Sequence, residues 1–171
     1  TKDPYFNVDK AVYRFRVLIG SNSRVFGLSL NNGSPFIMIG NDGGLLPVSS
    51  NQNTIEVAPG ERLDLLIDFR SYATGTKIML RDLNQPMDLL EFRVTGNTII
   101  PYTGSITTSS TIIPLSNPVN TRFFSFDGMS KINGLEYEMN RIDFNVPFGQ
   151  TELWQFKTNG NGPHPVHVHG A

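Results

Sequence analysis

The chain contains no cysteine in 171 residues, and that absence excludes a good deal. There is no disulfide framework, no thiolate nucleophile and no zinc site of the cysteine type. Any metal here must be held by histidine, carboxylate or carbonyl oxygen. Cysteine usage therefore says nothing about redox compartment. Charge of one sign is also lacking: 14 basic side chains stand against 15 acidic ones, for a net charge of -1. So even a balance gives no basic arm for nucleic acid, and a 39% hydrophobic composition is too apolar for disorder. No apolar run approaches the roughly 18 residues that would span a bilayer. The segment is expected to be soluble, with neither a nucleic-acid nor a membrane partner. It shows no signal-peptide pattern, and Thr1 does not read as a natural start.

What is present points to strands. Sixteen glycines and eleven prolines suit many turns between short strands better than long helices. The length allows one full domain, or one and a fraction, burying roughly 70% of its unfolded surface. Tyr13, Phe15, Val17 and Ile19 alternate with Arg14 and Arg16, and Phe26, Leu28 and Leu30 alternate with Gly27 and Ser29. Asn31-Asn32-Gly33 and Asn41-Asp42-Gly43-Gly44 read as turns. Ala58-Pro59-Gly60 reads as a turn whose proline presets the first angle and whose glycine takes the positive one. Leu63, Leu65, Ile67 and Phe69 then share one face, and Asp64 and Asp68 the other. Lys77–Leu83 and Leu89–Val94 complete the first set of strands. No window sustains a 3.6 period with caps at both ends, so the fold class is all-β, a barrel or sandwich.

Residues 103–111 are almost entirely Thr, Ser and Gly, and Ile112-Ile113-Pro114 follows. Such a stretch buries little and is expected to be a surface connector. Strand patterns resume at Arg122–Phe126, Ile142–Val146 and Thr151–Lys157, with turns at Asn133-Gly134 and Pro147-Phe148-Gly149. A further strand is expected to begin at His164. The expected division is therefore 1–116, one complete domain with its connector, and 117–171, the incomplete N-terminal part of a second.

The chain's three histidines all fall within its last eight residues, in His164-Pro165-Val166-His167-Val168-His169. On a strand His167 and His169 point the same way, with Cβ atoms about 7 Å apart. Leaning imidazoles at that spacing can share one metal or serve two neighbouring ones. His164 has the opposite parity, so the segment addresses one site on each side. Surface or partly buried histidines at a strand start are the plainer interpretation, weakened by three of them in six residues. A cupin site also uses His-x-His but needs a following Glu. Imidazole favours copper or zinc over magnesium or calcium, and the affinity order favours Cu²⁺.

Gly162-Pro163-His164-Pro165-Val166-His167-Val168-His169-Gly170 resembles the third-domain His-Pro-x-His-x-His-Gly signature of multicopper oxidases, the laccases and bilirubin oxidases among them. Other stretches resemble the same family in order. Tyr13–Leu18 with Gly20–Arg24 is similar to the opening strand of its second domain. Ile39–Gly44 is similar to its Gly-x-Asp-Gly-Gly turn, and Ala58–Asp64 to its Ala-Pro-Gly-Glu-Arg-x-Asp motif. Ile132–Asp143 with Gly149–Trp154 resembles the start of its third domain. The nearest likeness is to bacterial, spore-coat-type laccases.

That resemblance implies cupredoxin-like Greek-key barrels, the second complete and the third incomplete. It implies copper as cofactor, with His164 a ligand of the type 1 copper, His167 of the type 2 copper and His169 of a type 3 copper. The parent protein would be an oxidase coupling one-electron oxidation of phenolic, aromatic-amine or metal-ion substrates to reduction of dioxygen to water. Its partners would be dioxygen, a small reducing substrate, a first domain and the rest of the third. A secreted, periplasmic or spore-coat location is expected from the family. The first domain's His-x-His pairs and the C-terminal His-Cys-His segment are absent, so neither copper centre is completed by these residues and this piece alone is expected to be inactive. The alternatives are a non-catalytic cupredoxin-like structural or assembly protein, or a simple histidine metal-binding module.

Remaining features have plain readings. Arg62, Asp64 and Asp68 are expected to be solvated or ion-paired. Asp127, Glu136, Glu138 and Asp143 show no spacing for general acid–base work. Five dispersed methionines form no cuprous-ion lid. Trp154 is expected in the core, and Asn32-Gly33-Ser34, a glycosylation pattern, is explained by turn chemistry.

Overall fold

The computed structural model describes residues 3–97, 102–104, 110–160 and 162–169. Residues 105–109 of the expected connector and Gly170 of the histidine segment lie outside the described residues. No described residue is helical. The chain divides into two compact units, Thr1–Thr111 and Ile112–Ala171.

The first unit is a two-sheet sandwich. One sheet contains β1 (Tyr5–Asp9), β3 (Phe26–Leu30), β6 (Thr54–Val57), β8 (Lys77–Asp82) and β9 (Met87–Gly96), in the order β1-β9-β8-β3-β6. The other contains β2 (Val12–Leu18), β4 (Phe36–Asn41), β5 (Gly44–Gln52) and β7 (Arg62–Asp68), in the order β2-β7-β4-β5. Among the described residues of this unit, only β1 and β9 pair in parallel. Period-two alternation puts Leu63, Leu65 and Ile67 of β7 inside, against Leu28, Leu30, Ile78, Phe92 and Val94 of the facing sheet. On the outer face of β7, Asp64 pairs with Arg14, and Asp68 with Arg70 at 2.7 Å. Phe69 and Phe92, both buried, lie 5.3 Å apart between ring centroids.

The turns follow their residues. Gly60 has φ 83°, and Glu61 N–H donates to the Ala58 carbonyl at 3.1 Å, a type II turn with Pro59 in second place. Asn32-Gly33-Ser34 lies in a turn where Gly33 N–H bonds the Leu30 carbonyl and Ser34 N–H bonds Asn32 Oδ1. Two strands carry no clear sequence pattern. β1 buries only Val8, and β5 is an exposed edge strand that tolerates Pro47.

The second unit is one sheet, formed by β10 (Asn120–Asp127), β11 (Lys131–Ile132), β12 (Leu135–Glu136) and β13 (Glu152–Asn159), in the order β12-β11-β10-β13. β10 and β13 run parallel in unbroken register, with Phe124 opposite Phe156. Asn133 (φ 52°) and Gly134 (φ 77°) both take positive angles in the β11–β12 turn, as a type I′ hairpin requires. Two expectations fail here. Residues 142–146 alternate but form no strand, since no neighbour offers them a ladder and Ile142 and Val146 stay exposed. His164–His169 forms none either: it pairs with no described strand, and the backbone bends at His169.

Candidate metal centre

The histidines follow β13, which turns at Gly160 with φ 77°. His164 is half-buried and its ring stacks on Phe126, with centroids 5.6 Å apart and planes 29° from parallel. Its Nε2 is buried and has no hydrogen-bond partner. A buried polar nitrogen left unpaired costs free energy on the order of 1–3 kcal/mol, so this atom calls for an acceptor or a metal.

His167 and His169 are exposed, with ring centroids 4.6 Å apart at 77°. The two rings thus lie side by side although no sheet carries them. Both help to line a cleft of about 1000 Å³, walled by Phe124, Phe126, Trp154 and Phe156. His164 takes no part in that lining. Among the described residues no three of His, Asp and Glu converge as a metal site. The donors present are thus one imidazole with an unpaired nitrogen and one imidazole pair, chemistry that suits copper but leaves each site short of ligands.

Around the cleft the charges are satisfied. Glu152, at 4% exposure, accepts from Arg122 Nε at 2.6 Å and from Trp154 Nε1 at 2.9 Å. The Arg122 guanidinium, then the indole N–H, lower its pKa from the ordinary 4.5 to about 2. Arg122 also lies over the Phe144 ring at 4.3 Å and donates to the Asn145 carbonyl, which anchors the 142–146 stretch. Asp127 accepts from Ser125 Oγ at 2.5 Å, Asn159 Nδ2 at 2.6 Å and Gly134 N–H at 2.8 Å, and these bonds hold its carboxyl below the usual range. Trp154, expected in the core, is instead half-buried at the cleft wall. Sequence reasoning missed the ring row Phe124, Phe126 and Phe156; its signal was the alternation of aromatic residues on two separate strands.

The described residues form three sheets and no helix, the all-β, cupredoxin-like class. A family model described as Multicopper oxidase matches residues 109–171. The laccase of Bacillus subtilis is 34% identical over 97% of this chain, which spans 36% of that protein. The cell division protein FtsP of Photorhabdus laumondii is 31% identical over 99% of the chain, which spans 39% of it. A crystal structure of a multi-copper oxidase from Pediococcus acidilactici superposes with a TM-score of 0.79 at 28% identity, covering 91% of this chain and 33% of that one. The chain belongs to the multicopper oxidase family and spans little more than a third of the length of these relatives.

Proposed function

We propose that the protein carrying this chain is a copper-dependent oxidase that couples one-electron oxidation of a small phenolic, aromatic-amine or metal-ion substrate to the reduction of dioxygen to water. The observation that carries this reading is the filled histidine signature, with His164 apart from the His167–His169 pair. Copper, when bound, supplies one-electron redox chemistry at both kinds of centre. In this reading His164 is a ligand of the type 1 copper, His167 of the type 2 copper and His169 of a type 3 copper. Each imidazole serves as a neutral ligand, with its second nitrogen fixed by an outer partner. Residues 1–116 act as a spacer domain without copper ligands, and 117–171 as the start of the ligand-bearing one. The remaining ligands come from polypeptide outside this chain.

The test uses the full-length protein. His164→Ala should abolish or strongly shift the blue type 1 absorption while the trinuclear coppers stay loaded. His167→Ala and His169→Ala should keep the blue band and lose oxygen reduction together with the type 2 or type 3 signal. A blue band unaltered in His164→Ala removes the assignment. The match to a cell division protein favours a second reading, a non-catalytic structural or assembly protein with the same fold. Purified full-length protein that takes up no copper under saturating conditions would establish that reading instead.

A further inference from the structure

We propose that Phe126 is a positioning residue for His164, setting the orientation of its imidazole; this rests on the reading of His164 as a copper ligand. No hydrogen bond to Nε2 fixes that ring, and His164 lies in a segment without ladder bonds. An imidazole's terminal torsion has a broad, roughly two-fold preference, so packing must choose its angle. Phe126 is equipped to choose it. Its backbone is held on both sides, opposite Ile132 of β11 and Thr158 of β13. Its ring is backed by Phe156, centroids 6.1 Å apart at 20°, and Phe156 in turn stacks on Phe124 at 5.0 Å and 17°. The parallel register makes this row, because Phe124 faces Phe156 directly and parity two places Phe126 on the same face. His164 is the last ring in the row, at 5.6 Å and 29°. A metal ligand held by a fixed aromatic face presents its donor nitrogen in one direction, as an outer-sphere hydrogen bond does elsewhere.

The experiment compares Phe126→Leu, Phe126→Tyr and His164→Ala in the full-length protein. In metal-free protein with labelled histidine, the His164 ring protons are assigned by their loss in His164→Ala. They should sit upfield from the Phe126 ring current, move downfield in Phe126→Leu and stay upfield in Phe126→Tyr. With copper bound, Phe126→Leu should retain its copper count but shift the blue band and its paramagnetic hyperfine splitting, and Phe126→Tyr should restore both. If Phe126→Leu does not fold, Phe156→Leu withdraws the ring behind Phe126, and a smaller shift in the same direction is expected. Unmoved ring protons and an unmoved blue band in the leucine variants overturn the positioning role alone. A blue band that survives His164→Ala overturns the ligand reading, whatever Phe126 does.

Discussion

Glu152 shows how one residue can hold a poorly filled unit together. Its carboxylate is nearly inaccessible and receives bonds from Arg122 and Trp154, and Arg122 reaches on to Asn145. Removing the charge by Glu152→Gln leaves Arg122 without its ion pair and loosens the tie to 142–146. The sign of the pH dependence follows from a folded pKa of about 2 against an ordinary 4.5. The stabilisation is fully present above the ordinary value and is lost as pH falls through about 2. The variant should therefore be less stable than the parent at neutral pH, with the gap closing between about pH 4.5 and 2. Chemical denaturation of both proteins at several pH values measures it. A gap that stays constant across that range would mean that the lost stability comes from shape, not charge.

Individual elements differ in how openly the sequence declares them. β7 was legible because Leu63, Leu65 and Ile67 need only a buried face on one side, and alternation records that need directly. β5 was not, because an exposed edge strand asks little of its side chains beyond a partner, and the partner is not written locally. The stretch 142–146 errs the other way: it alternates, yet no strand lies beside it among the described residues. The proximity of His167 and His169 was legible from their spacing of two, although no strand carries them. The contact of Phe126 with His164 was not, because it joins segments far apart in sequence. Gly40 is a further instance of a hidden demand. It sits where the β4 ladders to β5 and β7 shift register, and a Cβ there would meet the Gly44 carbonyl oxygen at 2.9 Å and Asp64 Cβ at 3.0 Å. Gly40→Ala should cost about 1–3 kcal/mol, as overpacking against backbone does. Gly20→Ala meets nothing within 4 Å and should be neutral, or stabilise by up to about 1 kcal/mol through the unfolded chain. Thermal denaturation of the two variants side by side tests the contrast.

At the scale of the whole molecule the two units are unequally built. Every fully buried hydrophobic side chain among the described residues lies between Val8 and Val94. In the second unit, by contrast, Phe123, Ile132, Leu135 and Phe156 of the sheet remain exposed, and Phe148 and Met129 almost wholly so. The ligands are likewise incomplete, with no described cluster of three donors and no cysteine in the sequence. The 171-residue chain alone should therefore be colourless, and with added Cu²⁺ and a laccase dye should show no turnover above free copper, because a blue band needs thiolate. Its amides should also separate into two classes. Local opening costs most where apolar burial is dense, so Leu65, Phe69, Ile78 and Phe92 should exchange at rates near those of global unfolding of the first unit. The β10–β13 pair has a continuous ladder but little apolar cover, and its free sheet edge and exposed rings invite pairing with another chain. At low concentration its amides should exchange orders of magnitude faster than the first unit's core. At rising concentration, slower exchange confined to β10 and β13 would mark self-association. Equal protection of both units at every concentration would show that the aromatic row and the Arg122–Glu152 pair stabilise the second unit without a buried core.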